Sequence, residues 1–369
     1  MKILVCFGTR PEAIKMAPVI HELKKHKLDF KVCVTAQHRE MLDQVLDFFE
    51  LVPDHDLDLI QPNQSLNELS SKILKEIDDV LGKEQTDVVL VQGDTTSATM
   101  VSLAAFHRRI KVGHIEAGLR TYNKTAPFPE EINRQLTARI ADLHFAPTIK
   151  AYSNLIKEQI PKDQLYITGN TVVDALQWAI RKMESGPLSE EIKKIKALLN
   201  PNKKLILVTG HRRENFGEGL LHICEALLEI SERKDVELIY PVHLNPNVTG
   251  PVQKLLGNKT NIHLIAPVAY PTMLWLMQEC NLMISDSGGI QEEAPTFKKP
   301  FLVTREVSER MEGVEAGFSF LVGTDKVKIV EEAIRLLNEP PDFSGIENPY
   351  GDGKAAFKIV EFLRNRYEY

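Results

Sequence analysis

The chain has 369 residues, 43% hydrophobic and 26% charged, with 20 glycines and 20 prolines scattered along it rather than gathered in a low-complexity tract. That length exceeds one comfortable core and suits two domains, each able to bury an interior, and the composition excludes a disordered chain. A net charge of -6 excludes a broad basic face for nucleic acid or an anionic membrane, so any functional cations must be locally placed.

Cys6, Cys33, Cys224 and Cys280 stand far apart, mostly within apolar runs, and are expected to be reduced core residues rather than metal ligands. The opening MKILVCFGTR has an apolar run that Gly8, Arg10 and Pro11 end before a signal-peptide core could form. No segment reaches the roughly 18 apolar residues of a membrane span, so the cytoplasm is the expected compartment.

Short runs rich in Val, Ile and Leu alternate with helical stretches, the pattern of repeated βα units around parallel sheets. Strands are predicted at Lys2 to Phe7, Lys31 to Thr35, Asp87 to Gln92, Lys111 to Ile115, Leu143 to Ala146 and Leu165 to Thr168. The first βα turn reads Gly8-Thr9-Arg10-Pro11-Glu12-Ala13-Ile14-Lys15, in which Thr9 and Glu12 can cap a helix whose start is flanked by Arg10 and Lys15. Backbone donors, helix dipole and two cations at a strand end suit an anion, although a capped turn with solvated charges would read the same way. The turn holds no G-x-G-x-x-G fingerprint, so no dinucleotide cofactor is expected. Ser65 and Glu68 form a capping box ahead of a helix carrying Leu69, Ile73, Ile77 and Leu81, with Gly82 as its expected stop.

Gln92-Gly93-Asp94-Thr95 closes one strand and Gly113-His114-Ile115-Glu116 closes the next, which places two carboxylates, Asp94 and Glu116, at one edge of one sheet. Pro127-Phe128-Pro129-Glu130-Glu131 adds a third at a helix start, where dipole complementarity alone is the plainer explanation. A polar, breaker-containing stretch from Glu184 to Glu190 is the expected hinge. It divides a first Rossmann-like domain, 1–184, from a second, 185–352, and a final helix at 353–369 is expected to return to the first.

In the second half strands are predicted at Leu205 to Thr209, Glu237 to Val242, Ile262 to Ala266, Leu282 to Ser285, Phe301 to Thr304 and Phe318 to Val322. Thr209-Gly210-His211-Arg212-Arg213 brings an imidazole and two guanidiniums to a strand end. Asp286-Ser287-Gly288-Gly289 follows another strand, and its glycines allow a phosphate to approach the next helix start, with Glu293 about a turn further on to reach a ribose diol. The expected fold class is α/β, with two doubly wound Rossmann-like domains and a cleft between them.

The motifs GTRPEAIKMAP, TAQHREMLDQVL, GDTTS, GHIEAGLRT, PEEINR, TGNTVVDAL, TGHRREN, YPVHLNPNV, DSGGIQEEAP and NPYGDGKA together resemble the non-hydrolysing UDP-N-acetylglucosamine 2-epimerases along nearly the whole chain. The resemblance implies a glycosyltransferase-B-type fold, a homodimer, a UDP-sugar substrate, and interconversion of UDP-GlcNAc and UDP-ManNAc with neither metal nor redox cofactor. It matches the catalytic carboxylates to Asp94, Glu116 and Glu130, and the UDP contacts to Arg10, Lys15, His211, Ser287, Gly289, Glu293 and Arg310, with Gly288 in the same loop. His211 belongs as well to the expected catalytic set. Some family members carry a second, activating UDP-GlcNAc site, whose motifs here hold Gln37, Arg212 and His243. The family's usual Pro-Glu after Arg310 is replaced by Met311-Glu312.

The C2 proton of this sugar is barely acidic, so the resemblance implies elimination of UDP to a planar 2-acetamidoglucal and re-addition on the other face. Acid–base groups about C1 and C2, and cations on the leaving diphosphate, suit that scheme. Three other readings compete: a hydrolysing epimerase that releases ManNAc and UDP, a glycosyltransferase on the same fold, and a non-catalytic UDP-sugar sensor.

Overall fold

The computed structural model describes residues 1–35, 39–59, 64–210, 212–308 and 310–367. In chain order the first elements are β1 (Lys2–Phe7), α1 (Arg10–Lys25), β2 (Asp29–Val34), α2 (Arg39–Phe48), β3 (His55–Asp56), α3 (Leu66–Glu84), β4 (Val88–Gln92) and α4 (Thr96–His107). They continue with β5 (Lys111–Ile115), α5 (Glu130–Ile140), β6 (Leu143–Ala146), α6 (Ile149–Lys157), β7 (Leu165–Ile167), α7 (Thr171–Ser185) and α8 (Glu190–Leu198). Then come β8 (Lys204–Thr209), α9 (Glu218–Ile230), β9 (Val236–Pro241), α10 (Pro246–Leu256), β10 (Ile262–Ile265), α11 (Tyr270–Glu279) and β11 (Leu282–Ser285). The last are α12 (Gly288–Phe297), β12 (Phe301–Val303), α13 (Glu312–Glu315), β13 (Ser319–Leu321), α14 (Lys326–Asn338) and α15 (Ala355–Tyr367).

Two units result, Met1–Trp178 with Tyr350–Tyr369, and Ala179–Pro349, so the division falls inside α7. In the first, seven parallel strands lie in the order β3-β2-β1-β4-β5-β6-β7. In the second, six lie in the order β10-β9-β8-β11-β12-β13, again all parallel. Helices cover both faces of such sheets, which is why β4 and most of β1 are buried along their length and read as continuous apolar runs. Among the described residues, no helix is long and apolar enough to cross a membrane.

Strand order reverses between β1 and β4 in the first unit and between β8 and β11 in the second. At these switch points the chains leaving neighbouring strands diverge, and their carboxyl ends form the ligand-binding edge of a doubly wound sheet. Gly8–Arg10 and Gly93–Thr95 occupy the first such edge, and Gly210, Arg212 and Asp286–Gly288 the second.

Gly82 does not stop α3, as its sequence position suggested. The helix runs through it to Glu84 and ends at Gln85, whose φ of 48° lies in the left-handed region. Gly82 instead leaves room for Arg108, whose Nη1 would lie 2.9 Å from an added Cβ and whose Nη2 bonds Asp78 of the same helix at 2.8 Å. The edge strand β3 has only two polar residues and gave no apolar signal. Helix α15 packs Phe362 against Tyr166 and Phe145 of the first unit. Its first turn is anchored where Asp174 accepts from the backbone N–H groups of Ala355 and Ala356 at 3.2 and 2.9 Å. Burial pushes the Asp174 carboxyl up to about 6, against the pull of those bonds.

Candidate active site

The capping box at Thr9 and Glu12 forms: Thr9 Oγ1 accepts from the Glu12 N–H and Glu12 Oε2 accepts from the Thr9 N–H at 2.7 Å. Glu12 does more than cap. It is 2% exposed, its Oε2 also accepts from the Gly8 N–H at 3.0 Å, and its Oε1 accepts from Thr95 Oγ1. Thr95 in turn caps α4 through the Ala98 N–H. One carboxylate therefore ties the turn after β1 to the turn after β4. Burial pushes that carboxyl above the ordinary range, while the bonds from Thr95, Thr9 and Gly8 pull it back. Arg10 begins α1 and is exposed.

Lys15, read from sequence as a cation for phosphate, is buried and forms an ion pair with Glu116. Asn170 Nδ2 donates to the same Oε2 of Glu116 at 3.2 Å. Glu116 holds φ +64°, a region that disfavours a side chain and is occupied at functional sites when the surroundings fix it. Those surroundings are visible two residues on, where Gly118 at φ +95° leaves no space for a Cβ against the Ala151 carbonyl.

Asp94 is held by α5. Asn133 Nδ2 donates to its backbone carbonyl at 2.9 Å, and the Arg134 guanidinium contacts Oδ2 through Nε at 2.9 Å and Nη2 at 2.6 Å. From β5, His114 Nε2 lies 2.7 Å from the Gly93 carbonyl, so the ring donates there. Burial depresses this imidazole to about 3, which keeps it neutral at physiological pH. Helix α5 begins at Glu130, and its next residue separates two roles that the sequence left alike. Glu131 is fully buried and accepts from the backbone N–H groups of Thr121 and Tyr122 and from Gln135, shaping the preceding loop, whereas Glu130 is half-buried. Asp94 and Glu116 leave paired strands, since Gln92 is registered with Ile115, and Glu130 opens the helix that grips Asp94.

In the second unit Asp286, buried at the end of β11, accepts from the Arg212 N–H at 3.0 Å and from Asn215 Nδ2 at 3.2 Å, fixing the loop after β8. Ser287 caps α12 through the Ile290 N–H. A Cβ at Gly288 would stand 2.8 Å from Arg310 Nη1 and 3.4 Å from Arg212 Nη2, so two guanidiniums overlie the start of α12. Arg310 is braced by Glu292, which accepts from its Nε at 2.7 Å, and by Ser308, which accepts from its N–H at 3.1 Å. Ser308 Oγ in turn bonds Gln291 Oε1 of α12. Met311 thus follows an arginine that is anchored from α12. Gly289 is exposed and Glu293 half-buried on the same helix.

His243 is exposed beyond β9, its Nδ1 accepting from the Asn245 N–H. Gln37 and His211 lie outside the described residues. Sequence reading gave no individual role to Arg134, Asn133, Asn170, Asp286, Glu292 or Ser308. All but Ser308 stand in the quoted motifs PEEINR, TGNTVVDAL and DSGGIQEEAP, which were the signal available for them.

The family profile described as UDP-N-acetylglucosamine 2-epimerase matches residues 21–364. A UDP-N-acetylglucosamine 2-epimerase of Salmonella typhimurium is 52% identical over 371 residues, 99% of each chain. The solved UDP-GlcNAc 2-epimerase of Neisseria meningitidis, bound to UDP-GlcNAc, superposes with a TM-score of 0.93 at 49% identity, covering 99% of this chain and 100% of that one. The enzyme of Methanocaldococcus jannaschii, solved with UDP-GlcNAc and UDP, gives 0.85 at 34% identity, with the same coverage. With two Rossmann-like units of the glycosyltransferase-B class and this similarity over its whole length, the chain belongs to the UDP-N-acetylglucosamine 2-epimerase family.

Proposed function

We propose that this epimerase interconverts UDP-GlcNAc and UDP-ManNAc without net hydrolysis, by eliminating UDP to 2-acetamidoglucal and adding it back. The observation that supports the reading is the placement of Asp94 and Glu116 at the carboxyl ends of the paired strands β4 and β5, each bound to a buried cation, with Glu130 as the first residue of the helix that holds Asp94. Acid–base work at C2 needs a proton acceptor on one face and a donor on the other, which several carboxyl groups supply and a simple binding protein has no use for.

Taken separately, the two units carry different groups. The first carries the acid–base groups, with Arg10 and Lys15 for the developing negative charge of the departing diphosphate. The second carries the UDP contacts, with Arg310 and Arg212 over the start of α12, Ser287, Gly288 and Gly289 at its N-terminus, Glu293 for the ribose, and, by its motif alone, His211. Lys15 then has two anions to serve, Glu116 in the resting protein and the diphosphate during turnover. Gln37 and His243 are left to a regulatory role. The working form in this reading is a homodimer in the cytoplasm, and light scattering checks the dimer.

A proton NMR time course with UDP-GlcNAc tests the proposal. UDP-ManNAc should accumulate to a constant ratio with no free sugar. Stoichiometric release of ManNAc and UDP from the start would identify a hydrolysing enzyme instead.

A further inference from the structure

Asp94 is gripped from behind. The Arg134 side chain is 5% exposed and that of Asp94 25%, and both guanidinium contacts, from Nε and Nη2, fall on Oδ2. Nη1 of the same guanidinium lies 3.5 Å from Oε2 of Glu131, a carboxylate with no exposure that is itself fixed by the backbone of Thr121 and Tyr122. Asn133 fixes the Asp94 main chain from the same helix. Among the described residues, the charged and titratable groups tied to Asp94 and its turn include Arg134 and Glu131 of α5, His114 of β5, which holds the Gly93 carbonyl, and Glu12 of α1, which acts through Thr95.

A guanidinium does not lose its charge in a protein, and its planar fork fixes orientation as well as charge. Two donors on one oxygen hold Oδ2 toward α5 and leave the other oxygen, Oδ1, outside the grip. We infer that Arg134 is a positioning residue for the reaction, fixing Asp94 as the carboxylate that accepts the C2 proton on Oδ1. In that step the C2–H bond breaks and its proton goes to Asp94. The electron pair forms the C1–C2 double bond, and the C1–O pair leaves with the β-phosphate oxygen of UDP. This assignment rests on the elimination reading above, and the test separates the two.

Arg134→Gln keeps a polar group between Asp94 and Glu131 but lacks the charge and the fork. UDP affinity by calorimetry should stay within about threefold of wild type while kcat falls about 100-fold, the scale of one misplaced proton acceptor. Arg134→Lys restores the charge without the fork and should recover about tenfold of that loss. The deciding measurement is a double-mutant cycle with Asp94→Asn, read by deuterium entry at C2 at high enzyme concentration. If Arg134 acts through Asp94, the Gln substitution costs less than about threefold once Asp94 is already gone. An equal loss in both backgrounds would overturn the inference while leaving the elimination reading intact. Wild-type turnover by Asp94→Asn itself would remove Asp94 from the chemistry, and both would fall. Should Arg134→Gln not fold, the same cycle is run with Arg134→Lys, whose expected tenfold loss must likewise disappear in the Asp94→Asn background.

Discussion

Thr95 Oγ1 donates to Glu12 Oε1 at 2.7 Å, joining the first turn of α1 to the first turn of α4 across the switch point of the first sheet. Removing the carboxylate in Glu12→Ala leaves the Gly8 and Thr9 N–H groups and the Thr95 hydroxyl without their acceptor, in a place with little water to replace it. At about 1–3 kcal/mol for each unsatisfied buried group, partly relieved by relaxation, a loss of about 3 kcal/mol is expected. Thermal unfolding should show Tm lowered by several degrees, with Glu12→Gln intermediate. An unchanged Tm would mean that the two turns are held by something else.

His114 predicts a dependence of stability on acid. Folded, its imidazole is depressed to about 3, against about 6.5 when unfolded. Between those values the unfolded chain binds the extra proton, so this residue's contribution is fully present above about pH 6.5 and is lost as pH falls toward 3. The loss reaches about 2 kcal/mol by pH 5. His114→Gln keeps an N–H for the Gly93 carbonyl and does not titrate. Its stability relative to wild type should therefore improve by about that amount between pH 7 and pH 5, as measured by denaturant titration. A constant difference would show that His114 takes up its proton in the folded protein over the same pH range as in the unfolded chain.

Gly118 serves the strained turn that presents Glu116. In Gly118→Ala the new methyl meets both a φ of +95° and the Ala151 carbonyl oxygen, which is backbone and cannot swing away. A destabilisation of about 2 kcal/mol or more is expected, with the disturbance confined to the first unit. A circular dichroism melt matching wild type would contradict the packing described for this turn.

Much of this layout was legible in the sequence, because parallel strands announce themselves as apolar runs and the residues that follow them must lie at one edge of the sheet. Thr9 and Glu12 could be read as a cap from spacing alone, and Asp94 and Glu116 as neighbours from the order of their strands. The partners of these groups could not be read. Lys15 meets Glu116, and Arg134 meets Asp94, only after the sheet has brought distant segments together, so Lys15 read only as a cation for phosphate and Arg134 as one more helical residue. Glu130 and Glu131 differ by one position on a helix, and spacing alone could not show that Glu131 is the fully buried one. Gly82 looked like a stop because the local code has no knowledge of Arg108.

In the second unit the absence of a side chain at Gly288 leaves room for Arg310 and Arg212. Gly288→Ala pushes on the far ends of two flexible side chains rather than on backbone, so the fold should survive. UDP affinity by calorimetry should drop about tenfold or more, a change of about 1.4 kcal/mol, as the guanidiniums give way at the start of α12. Wild-type affinity would place the diphosphate elsewhere.

The most direct test of the elimination reading follows two isotopes through one turnover. In heavy water the product should gain deuterium at C2, since the proton taken by one carboxylate is not the proton returned by another. Oxygen-18 between C1 and the β-phosphorus should scramble into non-bridging positions, because the expelled diphosphate can rotate before it re-adds. Epimerisation with both labels retained would contradict bond cleavage at C1 and C2, and with it the roles given to Asp94, Glu116 and Glu130.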